Sequence, residues 1–179
     1  HHMTDLYLEG PDALKLISAL GVNTFTNFRV DTAKQFVACN HDGYVIGDAI
    51  LFHLAPNSFV FVGRPPALNW VQYNLEAGRY NAKAERDERS FVNKTGARRS
   101  YRYQVQGPNA KKVMEKVTGK PVPDIKFFNM DVFDIAGCKV RALRHGMVGQ
   151  PGWEIFGPWA DGDKVRDAIV EAGRGVGIR

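Results

Sequence analysis

The sequence predicts an α+β protein made of two related units. Each unit reads strand, helix, hairpin, strand, helix, with mainly antiparallel sheet. Three observations carry this. A segment that closes a strand and opens a helix occurs twice. Each copy is followed by two extended runs around a turn signal. Each unit then closes with a strand, a helix and an Ala-Gly pair, in the same order.

The first element is Leu8-Glu9-Gly10-Pro11-Asp12-Ala13, and Val105-Gln106-Gly107-Pro108-Asn109-Ala110 repeats it 97 positions later. Glycine permits the sharp turn, and proline suits a first helical turn, where its missing N–H is not required. The helices that follow share an apolar spacing: Ala13, Leu14, Ile17 and Leu20 in one, Ala110, Val113, Met114 and Val117 in the other. Next come two hairpins. Residues 35–39 and 44–54 flank His41-Asp42-Gly43, and residues 130–135 and 139–145 flank Ala136-Gly137. Hairpins of this length cannot supply parallel crossovers, so the sheets should be antiparallel. The closing strands are Ser58–Gly63 and Gly152–Gly157, and the closing helices end at Ala77-Gly78 and Ala172-Gly173. A left-handed glycine after each helix is the expectation. The repeat units run over about 1–78 and 101–173. Residues 79–100 join them and lack clear periodicity. Ile178, close behind an apolar-faced helix, reads either as the start of a strand or as a frayed end.

Composition narrows the function. The chain has 179 residues, 44% hydrophobic and 24% charged, which is ordinary for a globular protein. No apolar run reaches a membrane span, and no signal-peptide core is present, so no membrane partner is expected. Cys39 and Cys138 lie in apolar stretches and read as buried free thiols, which fits a reducing cytoplasm. The net charge of +5 suits an anionic small molecule. The densest basic cluster, Arg98, Arg99 and Arg102, adjoins a polar stretch that reads as a surface loop. No stacking pattern, zinc finger or RNP-like motif accompanies it, so nucleic acid is not the expected partner. His41 and His53 have no companions at metal-ligand spacing, and no metal is expected.

A few residues could carry chemistry. Asp48 stands among Val45, Ile46, Ile50 and Leu51, which makes it either a bulge or edge position beside Gly47, or a ligand-facing carboxylate. Glu154 is either the outward residue of a half-buried strand or a carboxylate facing a cleft. Arg64, at a strand end before Pro65-Pro66, is either solvated or a clamp for a substrate carboxylate. His145 opens a glycine-rich loop and reads as structural. No dinucleotide or phosphate-loop fingerprint occurs. His1-His2-Met3 reads on composition as a tag remnant.

These motifs together resemble the folate-binding domain of the glycine-cleavage T-protein superfamily. His2-Met3 with Gly10-Pro11-Asp12-Ala13 is similar to that family's opening. His41-Asp42-Gly43 through Asp48 resembles its Gly-Gly-Ile-x-Asp-Asp segment, and Gln106-Gly107-Pro108-Asn109-Ala110 its Gln-Gly-Pro-x-Ala. Arg144-His145-Gly146 through Gly152-Trp153-Glu154-Ile155 resembles its Arg-x-Gly-Tyr-Thr-Gly-Glu-x-Gly-x-Glu motif. The resemblance recasts His1-His2-Met3 as native. It implies the T-protein folate-binding fold without that family's C-terminal barrel, so the chain reads as a fragment. The first Asp of the family's pair is Gly47 here, and its Tyr-Thr-Gly-Glu is Met147-Val148-Gly149-Gln150. These departures point away from glycine cleavage itself. Val62-Gly63-Arg64 with Asn69-Trp70, Lys126-Phe127-Phe128-Asn129-Met130 and Leu143-Arg144-His145-Gly146-Met147 resemble tetrahydrofolate-dependent aryl O-demethylases of vanillate- or syringate-like lignin acids.

The resemblance implies methyl transfer from an aryl methyl ether to tetrahydrofolate. Glu154 would orient the pterin, and Asp48 would lie near the folate nitrogens and take part in catalysis. Arg64 would hold the carboxylate of a methoxy-aromatic acid. His2 would hydrogen-bond the phenol or ether oxygen, as a substrate-binding and catalytic residue. Aminomethyl transfer, demethylation of another donor, and a non-catalytic folate-binding module stand as alternatives. A homo-oligomer is left open.

Overall fold

The computed structural model describes residues 3–179. The chain divides into two compact units, the first running to Gly96 and the second starting at Ala97.

The first unit contains β1 (Thr4–Glu9), α1 (Ala13–Leu20), β2 (Thr32–Cys39), β3 (Val45–Ala55), β4 (Ser58–Gly63), α2 (Pro65–Ala77) and β5 (Lys83–Asp87). Its sheet runs β2-β3-β4-β1-β5, and every pairing is antiparallel. Alternate residues of the strands face the helices: Leu6, Leu8, Phe36, Leu51, Phe59 and Phe61 pack with Ile17, Leu68 and Val71. Truncating one of the buried phenylalanines to alanine costs about 3–5 kcal/mol.

The second unit contains β6 (Ser100–Gln106), α3 (Ala110–Thr118), β7 (Met130–Ile135), β8 (Cys138–Arg144), β9 (Gly152–Pro158) and α4 (Gly162–Gly173). Its sheet order is β6-β9-β8-β7, again antiparallel. With β6, β7, β8 and β9 matched to β1, β2, β3 and β4, the order repeats that of the first unit. Tyr101, Val105, Trp153 and Ile155 face the helices, against Val113, Met114, Val165 and Ile169.

The repeat extends to individual hydrogen bonds. Gly10 and Gly107 have φ of +139° and +120°, values that L side chains rarely adopt. Gly10 N donates to Asn57 O and Gly107 N to Pro151 O, both at 3.0 Å, just before β4 and β9. Ala13 N and Ala110 N then bond back to the two glycine carbonyls, also at 3.0 Å. The N-caps Asp12 and Asn109 have nearly identical dihedrals, φ −93° ψ 4° and φ −98° ψ 2°. The register matches too: Leu8 pairs with Phe59 as Val105 pairs with Trp153.

The structure differs from the sequence reading in three places. Residues 83–87 of the joining stretch form β5, which pairs with the free edge of β1. Gly78 and Gly173 are not left-handed, with φ of −91° and −82°. A β-carbon on Gly78 would lie 2.5 Å from the Tyr80 ring, and one on Gly173 would lie 2.5 Å from Ile178, so close approach explains both residues. Cys39 is half-buried rather than buried, while Cys138 is buried, and both thiols are free. Within the basic cluster, Arg99 is exposed and the other two are not. Arg98 is buried, and the Arg102 side chain is only 6% exposed.

The hairpin turns follow their chemistry. At the first, the Asn40 side-chain oxygen accepts the N–H groups of Asp42 and Tyr44, and Gly43 takes φ +84°. At the second, Ala136 and Gly137 both have positive φ, the pattern of a two-residue hairpin loop. Among the described residues, no helix is long and apolar enough to cross a membrane. Among the described residues, no group of three His, Cys, Asp or Glu could hold a metal ion.

Candidate functional site

In a pleated strand, successive side chains face opposite sides of the sheet. Trp153 and Ile155 of β9 point to the helices, so Glu154 and Phe156 point to the face that the helices leave uncovered. On neighbouring strands, Gln104 and Leu143 sit opposite Glu154, and Arg102 and Arg141 sit opposite Phe156. Arg102 is thereby diagonal to Glu154, within reach of a long side chain. Its Nη1 lies 2.9 Å from Glu154 Oε1, with the two side chains 6% and 15% exposed. The Arg102 guanidinium also covers the Phe156 ring, at 4.7 Å from its centroid. The other carboxylate oxygen, Oε2, is 3.8 Å from His145 Nδ1.

His145 follows the last residue of β8. Its backbone is pinned at both ends: its N–H donates to Gly152 O at 3.1 Å, and its carbonyl accepts from Gln104 Nε2 at 2.8 Å. The ring meets Phe128 and Phe127, with centroids 5.4 and 5.9 Å away, and those two rings stack on each other at 4.5 Å. Phe127 is 59% exposed. Phe128 takes φ +59°, a strained value for a bulky residue. Paired backbone bonds hold it there: Phe128 N donates to Arg144 O, and Arg144 N to Asn129 O, both at 2.9 Å.

In the first unit, Asp48 is exposed on β3 and accepts from Gln35 Nε2 at 2.5 Å. The register of β2 against β3 shifts between Ala38 and Cys39, so Asp48 sits two residues past a bulge. Beside it, a β-carbon on Gly47 would lie 3.1 Å from Ala67 N at the start of α2. Arg64, also exposed, occupies the N-cap position of α2. The last β3–β4 pair is Ala49 with Gly63, so Asp48 and Arg64 are the next residues on the two strands and flank one end of the ladder. His2 lies outside the described residues. Of the remaining histidines, His53 is a core residue. It stacks on Phe59 at 4.4 Å, and its Nδ1 lies 3.2 Å from Phe28 O.

Sequence reasoning missed Arg102 and the aromatic pair. Arg102 was legible in principle, because it alternates with Tyr101 and Tyr103 in step with Glu154 on the adjacent strand. Strain at Phe128 leaves no sequence signal.

A duplicated antiparallel α+β fold, with a carboxylate of low exposure on the sheet face opposite the helices, defines the class of protein. The GCVT N-terminal domain model matches residues 1–179, and the chain belongs to that family. It is 49% identical over 178 residues to a syringate O-demethylase of Sphingobium sp. (strain NBRC 103272 / SYK-6), covering 99% of this chain and 38% of that protein. It is 30% identical to a sesamin methylene transferase of Sinomonas sp. (strain No.22), covering 98% and 36%. The fold matches the crystal structure of glycine cleavage system aminomethyltransferase T from Bartonella henselae with a TM-score of 0.72 at 19% identity, over 94% of this chain and 43% of that one. The chain thus spans less than half the length of these relatives.

Proposed function

We propose that this chain is the folate-binding part of an enzyme that transfers a methyl group from an aryl methyl ether to tetrahydrofolate. The observation that carries the reading is Glu154, a carboxylate of low exposure on the sheet face opposite the helices, paired there with Arg102. A pterin offers two adjacent N–H donors on its pyrimidine edge, and a carboxylate matches such a pair with both oxygens. The residues present fit that ring: Arg102 fixes the carboxylate, and the exposed Phe127 ring beside His145 offers a surface for a flat heterocycle. When bound, tetrahydrofolate supplies the nitrogen that accepts the methyl group.

The chain's own residues take the other roles. Glu154 orients the pterin. Asp48 acts near the folate nitrogens as a carboxylate that can hold a proton. Arg64 holds the carboxylate of a methoxy-aromatic acid, since a guanidinium forms two parallel bonds to it. His2 serves the phenol or ether oxygen, because a phenolate leaving group needs a donor or cation there. The likeness to the syringate O-demethylase supports this substrate class.

Protein carrying these residues should release a phenol from syringate or vanillate only when tetrahydrofolate is supplied, with formation of 5-methyl-tetrahydrofolate. Glu154→Gln should weaken tetrahydrofolate binding about tenfold, the effect of losing one charged hydrogen-bond partner. Calorimetry giving equal affinities would remove Glu154 from the site. Turnover of a glycine-derived carrier alone would overturn the aryl ether assignment.

A further inference from the structure

His145 has a feature that its structural surroundings leave unexplained. Its Nδ1 is buried and has no hydrogen-bond partner, although it sits 3.8 Å from a carboxylate oxygen. Buried ring nitrogens are normally satisfied, so an orphan nitrogen beside a candidate ligand group points to a partner that binds there. The ring cannot drift away to find water. Its backbone is held by Gly152 and Gln104, and Phe127 and Phe128 meet its ring at tilts of 59° and 48°. Phe128 is held in a strained conformation to do so.

The edge of a 2-amino-4-oxo pyrimidine carries, side by side, an amino N–H, a ring N–H and a carbonyl oxygen. Glu154 can accept the two N–H groups. The next position along that edge then requires a donor, and His145 Nδ1 stands on the Oε2 side of Glu154. We propose that His145 reads the oxygen edge of the bound pterin: its Nδ1–H donates to the ring carbonyl next to the N–H pair held by Glu154, above the ledge of Phe127 and Phe128. This rests on the folate reading of Glu154 and adds a residue that fixes which edge of the ring enters. Arg102, on the Oε1 side, holds Glu154 in place.

The test uses folic acid and its 4-amino analogue, which has no carbonyl at that position, with binding measured by calorimetry on the chain and its variants. His145→Phe keeps a flat ring on the Phe127–Phe128 ledge and removes the donor. It should weaken folic acid about tenfold and leave the 4-amino analogue within about twofold. His145→Gln restores an N–H donor and should recover most of the folic acid affinity. Urea midpoints of both variants near that of the parent chain would confirm that folding is intact. Equal losses for both ligands, equal losses for the Phe and Gln variants, or no loss at all would overturn the proposal. Glu154→Gln separates the two readings. If it weakens folic acid while His145→Phe does not, only the His145 role falls. If neither variant changes folic acid binding, the folate reading of Glu154 falls with it.

Discussion

Replacing Arg102 with methionine removes the guanidinium and keeps most of the side-chain volume. At 2.9 Å the Arg102–Glu154 attraction is about 6 kcal/mol at an effective dielectric of about 20. Desolvation offsets most of it, so the pair's net contribution is far smaller. Removing only one partner differs from removing both, because it strands Glu154, whose side chain is 15% exposed. Loss of one partner from a fully buried pair costs about 3–5 kcal/mol. Glu154 is not fully buried, so the lower end of that range, about 3 kcal/mol, is expected here. Arg102 also contacts Phe156, so the single variant mixes two losses. A double-mutant cycle with Glu154→Gln separates them. The double variant should be less destabilised than the two single losses added together, and that shortfall, at least about 2 kcal/mol, is the coupling. Urea unfolding in a Trp70→Phe background serves as the assay, with Trp153 and Trp159 reporting the second unit. An Arg102→Met loss below about 0.5 kcal/mol, with coupling equally small, would refute the argument that this pair fixes the carboxylate.

The two repeat turns should respond unequally to alanine. Gly107→Ala meets nothing within 4 Å and should cost only backbone strain, about 1–2 kcal/mol, whereas Gly10→Ala also collides with Asn81 O at 2.5 Å and Ala82 Cα at 2.6 Å and should cost clearly more. Equal urea midpoints for the two variants would contradict this. Burial pushes the His53 imidazole below its ordinary pKa, with the Phe28 carbonyl and other backbone groups only partly offsetting it. The unfolded chain therefore binds the proton more readily, and stability should be full above about pH 6.5 and decline as pH falls below it. A melting series from pH 8 to pH 5 should show that decline in the parent and a flatter profile in His53→Phe; parallel profiles would exclude His53 as the cause. The Tyr101 hydroxyl is buried without a hydrogen-bond partner. Tyr101→Phe should leave stability unchanged or raise it by up to about 1–2 kcal/mol, and a clear loss in thermal unfolding would mean that the hydroxyl has a partner.

The elements visible in the sequence were those with local causes. Gly-Pro turns, alternating apolar strands and hairpin signals at Gly43 and Ala136-Gly137 act over a few residues, and all appear where expected. The strand β5 did not show, because Lys83-Ala-Glu-Arg-Asp87 is polar and its order comes from backbone pairing with β1. Charged edge strands of this kind carry little apolar signal. Arg102 was hidden by its type: an arginine near other arginines reads as solvated, and only cross-strand register shows that it meets a carboxylate. The motif containing Glu154 also holds His145, but its other partner, Arg102, lies far away in sequence. His145 and Glu154 are nine positions apart, Arg102 and Glu154 fifty-two, and only the folded sheet brings them together.

The duplicated register has a consequence for how the two copies have diverged. On the helix-facing pleat, matched pairs keep their apolar character: Leu8 with Phe59 becomes Val105 with Trp153, and Leu6 with Phe61 becomes Tyr103 with Ile155. On the opposite pleat, Asp5 becomes Arg102 and Val60 becomes Glu154. One pleat behaves as a constant region and the other as a variable one. The constant pleat packs against the helices within each copy. The variable pleat can change charge, even reverse it, without disturbing the hydrogen-bonded ladder beneath. Grafting between the copies should follow the same division. Helix-facing residues exchanged pair by pair should be tolerated as volume changes. Glutamate placed at Val60 would meet an aspartate at the position where Arg102 stands in the other copy, so the chemistry of one copy cannot be installed in its twin by a single substitution.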